Sequence, residues 1–203
     1  VNATYGRVAW FAGALWALGL LIQVVPATAQ TPVALELVLA VDTSTSVDES
    51  EFALQQRGFA EAFRHPDVVR AIERAGAGGI AVTVVHWSGR GKQRTSVDWT
   101  IVRTAREAGA LADKITRSGR VLDGFTDIAG ALDFSLQALR GNGLEGRRKV
   151  IDVSGDGTSN GPSAAAARDA AIASGVTVNG LVIHNEEYDL GELAKINLFD
   201  HYE

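Results

Sequence analysis

Residues 35–46 read LELVLAVDTSTS. The first seven form a short, nearly continuous apolar run that ends at Asp42. A run of that length and composition predicts a central strand covered on both faces. One carboxylate and alternating hydroxyls follow immediately, and Val47-Asp48-Glu49 then leads into a helical pattern. The stretch therefore reads as strand, oxygen-rich loop, helix.

Outward from it the same alternation continues. Residues 80–87 (IAVTVVHW), 148–153 (RKVIDV) and 176–183 (VTVNGLVI) predict further central strands. Residues 93–99 (QRTSVDW) alternate more and predict an edge strand. Phe52, Gln56, Phe59 and Phe63 share one helical face, and Pro66 ends or kinks that helix before Val68–Arg74. Ile101, Ala105, Ala108, Ala112 and Ile115 predict a second helix; Ile128, Leu132, Leu136 and Leu139 a third. Ala164–Ala171 and residues 189–200 complete the helical set. The expected fold is α/β: a doubly wound, mostly parallel sheet with helices on both faces and one antiparallel edge strand. No internal repeat or linker divides it.

Composition narrows the function. The 203 residues are 46% hydrophobic and 21% charged, which excludes a disordered or collagen-like chain. Nineteen Lys and Arg against 24 Asp and Glu give a net charge of −5, which disfavours a nucleic-acid surface. There is no cysteine, so disulfides, thiolate metal sites and cysteine nucleophiles are excluded.

Residues 1–7 hold a single charge, Arg7, and residues 8–22 (VAWFAGALWALGLLI) are uncharged. Ala27-Thr28-Ala29 and Gln30 follow. A basic start, an apolar stretch and an Ala-x-Ala end predict a signal peptide over residues 1–29, cleaved to leave a domain over 30–203. The alternative is a retained anchor, for which the apolar stretch falls short of a ~20-residue span. Cleavage implies a secreted or periplasmic bacterial protein with no membrane association afterwards.

In a doubly wound sheet, ligands sit beyond the carboxyl ends of the strands. Three loops at that edge carry oxygen donors: Asp42-Thr43-Ser44-Thr45-Ser46, Gly124-Phe125-Thr126-Asp127 and Ser154-Gly155-Asp156-Gly157. Such donors suit a hard divalent cation. Each loop also has a plainer reading. Ser46 with Glu49 matches a capping box, Thr126 could be an N-cap, and Gly155-Asp156-Gly157 a turn. Their joint occurrence in this order favours the cation.

Asp42-x-Ser44-x-Ser46, Thr126 ahead of a helix and Asp156-Gly157 after a strand resemble the metal-ion-dependent adhesion site of von Willebrand factor type A (VWA) domains, over nearly the whole chain from about Leu35. More narrowly, IAVTVVHWSG, RKVIDVSGDG and Asn185-Glu186-Glu187 are similar to secreted bacterial proteins filed as domain of unknown function number eleven ninety-four. The resemblance implies metal ligands Asp42, Ser44, Ser46, Thr126 and Asp156, with Mg2+ as the ion and Mn2+ or Ca2+ as substitutes. It also implies a partner protein presenting Asp or Glu to the cation. Phe125 departs from the glycine that many relatives carry there. The family continues into a further edge strand, of which this sequence is expected to fall short.

Enzyme readings are weaker. There is no His-Glu-x-x-His and no Gly-x-x-x-x-Gly-Lys-Ser/Thr loop, and Gly76-Ala77-Gly78-Gly79 precedes a strand instead of joining strand to helix. His86 is expected to make a structural hydrogen bond. Trp87 and Trp99 flank the Ser88–Lys92 loop, either as core or as a partner-contact surface. The expected function is a protein-binding module and not an enzyme. The alternatives are a metal-assisted phosphate-ester hydrolase and a scaffold with a structural metal.

Overall fold

The computed structural model describes residues 29–120, 124–156, 159 and 161–183. Residues 1–28 of the expected signal peptide, Gly157, the Asn185-Glu186-Glu187 stretch and the helix expected over 189–200 lie outside the described residues.

The order of elements is β1 (Thr31–Asp42), α1 (Glu49–Arg64), α2 (Pro66–Arg74), β2 (Ile80–Trp87), β3 (Gln93–Val102), α3 (Ala105–Arg117), α4 (Ile128–Ala138), β4 (Leu144–Gly155), α5 (Ala164–Ala173) and β5 (Val176–Val182). The strands form one sheet in the order β3-β2-β1-β4-β5. β1 pairs in parallel with β2 and β4, and β4 with β5, while β2 and β3 run antiparallel. This is the expected α/β fold, with β3 as the antiparallel edge.

Strand geometry decides how the core divides. Successive side chains of β1 alternate between faces. Leu39 and Val41 pack with Phe52, Phe63, Leu111 and Ile115 from α1 and α3. Val38 and Ala40 pack with Ile128, Leu132 and Leu136 from α4. Both faces of β1 are thus covered, which is why its sequence is a run and not an alternation. Each large apolar side chain removed from water stabilises the fold by about 1.5–3 kcal/mol.

Several boundaries differ from the sequence reading. Ile101 belongs to β3, because its segment pairs with Ala81 of β2; α3 starts later, at Ala105, capped by the Thr104 hydroxyl. Periodicity alone could not separate an apolar strand end from a helix start. Helix α1 is capped by Asp48 and not by Ser46. Asp48 Oδ1 accepts from the Glu51 N–H at 2.8 Å, and Glu51 Oε2 accepts from the Asp48 N–H at 2.8 Å. Pro66 occupies the first position of a separate α2, where its missing N–H costs nothing. Trp87 is fully buried, and half-buried Trp99 donates from Nε1 to the Ala138 carbonyl at 3.2 Å, so both are packing residues and not a contact surface.

The topology also positions the site. β1 lies between β2 and β4, so the sheet order reverses at β1. Val41 is paired with Ser154, which brings the carboxyl ends of β1 and β4 side by side. Ligands of open α/β sheets bind at such a switch point.

Candidate metal centre

Asp42 is the last residue of β1 and is fully buried. Two neighbours hold it there. The Thr43 N–H donates to the Trp87 carbonyl at 2.8 Å, tying the end of β1 to the end of β2. Gln55 of α1 donates to the Asp42 carbonyl at 3.5 Å and accepts from the Ser154 hydroxyl at 3.0 Å. Strand ends β1 and β4 are therefore bridged by one glutamine.

The Asp42 carboxylate is only half satisfied. Its Oδ1 accepts from the Ser44 N–H at 2.7 Å. Its Oδ2 is buried and has no hydrogen-bond partner. A buried, unpaired carboxylate oxygen is costly unless something positive meets it. Burial pushes the Asp42 carboxyl up to about 7, against the hydrogen bonds from Ser44, and the Asp156 charge pushes the same way.

The other first-loop hydroxyls lead from Asp42 to the third loop. Ser44 Oγ and Ser46 Oγ lie 3.1 Å apart, and the Ser46 hydroxyl donates to Asp156 Oδ1 at 2.9 Å. Burial also raises the Asp156 carboxyl, opposed by the Ser46 hydrogen bond, and the nearby Glu51 charge adds to the rise. Asp42, Ser44, Ser46 and Asp156 are thus one cluster.

The second loop is sewn to the first. The Thr45 N–H donates to the Gly124 carbonyl at 2.8 Å, and the Gly124 N–H donates back to the Thr45 hydroxyl at 3.0 Å. Gly124 has φ +130°, a conformation that suits glycine. Two residues on, the Asp127 N–H donates to the Ser88 carbonyl at 3.0 Å. Thr126 sits between these ties and is buried. It is not the cap of α4. That role falls to Asp127, whose Oδ1 accepts from the Gly130 N–H at 3.0 Å.

The plain readings of two loops therefore fail on local geometry. Both helices are capped by the residue one or two positions beyond the hydroxyl first considered. Ser46 and Thr126 stand outside the capping geometry at the same sheet edge.

Arg120 was not singled out by sequence. Its Nη2 donates to the carbonyls of Thr43 and Ser44, at 3.0 and 2.6 Å. It clamps the first loop from the connection after α3. No spacing rule marks it, because its partners are main-chain oxygens 76 and 77 residues away.

The donor chemistry fits a divalent cation. Two carboxylates lie among hydroxyls, and one carboxylate oxygen lacks any partner. Among the described residues no group of three or more His, Cys, Asp or Glu side chains gathers into a metal site. The set is one of hard oxygens, largely neutral.

Residues 32–203 match the family described as "Protein of unknown function (DUF1194)". The chain belongs to the DUF1194 family. Among curated proteins none matches the DUF1194 chain in sequence. Solved structures share its fold. Proximal thread matrix protein 1 from the mussel byssus, in a structure with a zinc-occupied MIDAS motif, is 21% identical with a TM-score of 0.59 over 74% of this chain and 38% of its own. BatB from Bacteroides thetaiotaomicron is 18% identical, with a TM-score of 0.53 over 73% of this chain and 66% of its own. The pilus adhesin SpaC from Lactobacillus rhamnosus GG is 15% identical, with a TM-score of 0.53 over 73% of this chain and 24% of its own. The DUF1194 chain spans less than two thirds of the length of each of the three. Its fold is that of VWA domains.

The remaining expectations divide. His86 is buried against Phe52, edge to face at 5.3 Å, and its Nδ1 makes no hydrogen bond. It is a core residue, and the structural hydrogen bond expected of it is not made at Nδ1. Asp152 accepts from Asn179 Nδ2 at 2.7 Å across β4 and β5. Among the described residues no helix is long and apolar enough to cross a membrane.

Proposed function

We propose that this protein is a metal-dependent, adhesion-type binding module and not an enzyme. Asp42, Ser44, Ser46, Thr126 and Asp156 are the ligands, directly or through water, with Mg2+ as the resident ion. The observation that carries the reading is the buried, partnerless Oδ2 of Asp42 beside the Ser46–Asp156 contact.

A divalent cation here would supply a positive coordination corner to an incoming carboxylate. The chain's own groups prepare that corner. Asp42 and Asp156 contribute two negative charges, which a dication neutralises. The hydroxyls of Ser44, Ser46 and Thr126 add oxygen donors without adding charge. A centre neutral overall leaves the cation open to a further anionic oxygen, as an acidic side chain of a partner protein would provide. Arg120 and the Thr45–Gly124 ties hold the loops in place before binding, which limits the ordering cost of association.

The leader over residues 1–29 and the domain over 30–203 are part of the same proposal, with the periplasm or exterior of a bacterium as its location.

The test is calorimetric titration with Mg2+, followed by recovery of envelope proteins on immobilised protein in Mg2+ and in chelator. The wild type is expected to bind one cation, Asp42→Ala none, and capture is expected only with Mg2+. Equal capture in chelator rejects the reading.

A further inference from the structure

Phe125 occupies the middle of the second loop, between Gly124 and the buried Thr126. Its side chain is 79% exposed, the most exposed large apolar side chain among the described residues. Exposure of a phenyl ring on a soluble domain calls for a reason when the backbone beneath it is held this firmly. On one side Gly124 is doubly bonded to Thr45; on the other the Asp127 N–H is bonded to Ser88. From below, Gly89 packs so closely that a Cβ on it would meet the Phe125 nitrogen at 3.3 Å. These ties fix the backbone from which the ring projects. The ring is displayed, at low entropic cost, beside the metal edge.

Its surroundings are basic. The β2–β3 turn beneath it carries exposed Arg90 and Lys92, and the Lys92 Nζ lies 3.1 Å from where a Cβ on Gly124 would stand. Arg120 is clamped to the first loop alongside. A chain with net charge −5 thus presents cations next to an aromatic ring at one side of the centre.

We infer that Phe125, with Arg90, is the specificity surface of the metal centre, and that it selects a peptide segment in which the metal-seeking acidic residue has an apolar side chain and a second acid close by. This rests on the adhesion reading above. The apolar neighbour covers the Phe125 ring, and the second acid meets Arg90. Rigid aromatic and basic side chains at the centre of an interface are the ones that carry binding energy.

The probes are three capped peptides displayed densely on a sensor surface: Gly-Leu-Glu-Gly-Asp, Gly-Gly-Glu-Gly-Asp, and Gly-Leu-Gln-Gly-Asn. In Mg2+ the wild type is expected to prefer the first over the second by about tenfold, and to ignore the third. Phe125→Ser is expected to erase the preference for leucine. Ile172→Ser, an exposed apolar change on α5, is expected to keep it. Arg90→Glu is expected to weaken the first peptide while raising tolerance for Lys in place of its Asp. A wild type that does not distinguish leucine from glycine overturns the inference, as does a Phe125→Ser protein that still does. Loss of Mg2+ affinity in Phe125→Ser also overturns it, since the residue would then serve the loop and not the partner. The adhesion reading fails separately: there the Glu and Gln peptides bind alike, with and without Mg2+.

Discussion

The Ser46 hydroxyl donates to Asp156 Oδ1 at 2.9 Å, joining loops 110 residues apart. That contact closes the line Asp42–Ser44–Ser46–Asp156 and leaves Asp42 Oδ2 as the oxygen with nothing to meet. The consequences can be measured.

Asp42→Asn removes a carboxylate whose ionised form is disfavoured by burial. Without metal at pH 7, the variant is expected to melt higher than the wild type, by several degrees if the relief is on the order of 1–2 kcal/mol. Addition of Mg2+ should raise the wild-type midpoint and leave the variant unmoved. Thermal melts with and without Mg2+ decide it; equal stabilisation of both proteins would falsify the assignment of Asp42 as a ligand.

The metal-free protein has two buried groups with opposite pH dependence. Burial, and then the Arg94 charge, hold His86 down to about 4, from an ordinary value of 6.5. The unfolded chain binds the proton first, so this stability is present above pH 6.5 and is lost as pH falls toward 4. Asp42 runs the other way. Its folded value is raised to about 7 from 3.8, so its contribution is present below 3.8 and is lost as pH rises toward 7. Burial also raises the Asp152 and Asp156 carboxyls, which run with Asp42. The stability of Asp42→Asn relative to the wild type is therefore expected to rise as pH goes from 4 to 7; a difference that does not change with pH would show that the Asp42 carboxyl is not held up by its burial.

Cation and proton compete for Asp42. Mg2+ affinity is expected to rise with pH until about 7, with net proton release on binding. Titrations in buffers of different ionisation enthalpy count the protons. An affinity indifferent to pH between 5 and 7 would contradict the coupling.

Arg120→Ala takes away the donor to the Thr43 and Ser44 carbonyls. Because the arginine is partly exposed, a loss of about 1 kcal/mol in folding stability is expected. Mg2+ affinity should drop about tenfold, since an unclamped loop must be ordered on binding. Arg120→Lys, with one point charge in place of the fork, should restore only part of it. Affinity unchanged in both variants would remove Arg120 from the site.

In the middle of β1, Glu36 is fully buried and accepts from Asn142 Nδ2 at 2.6 Å and from the Gly146 N–H at 2.7 Å, with Lys149 Nζ at 3.6 Å. Six residues of strand separate it from Asp42, about 20 Å. Glu36→Ala strands these donors and is expected to cost about 3 kcal/mol or more. Denaturant unfolding should show that loss, while Mg2+ affinity in the folded protein stays at the wild-type value.

Much of this protein was legible in its sequence because the signals are local. Residues 35–41 form a strand because both faces of β1 are covered, and that same burial makes their apolar run continuous. The α1 and α4 stripes could be read from the 3.6-residue period. The oxygen-rich loops could be placed at one sheet edge because strands joined through helices run parallel, so their carboxyl ends share a side. Tertiary structure alone decided three further points. It showed that Asp48 and Asp127 are the caps, a matter of dihedral angles at adjacent residues that composition cannot rank. It assigned Ile101 to a strand through its pairing with β2. It brought Arg120 to the first loop and left Phe125 in solvent, because a side chain's partners across the fold depend on packing between distant segments, and no spacing along the chain encodes that distance.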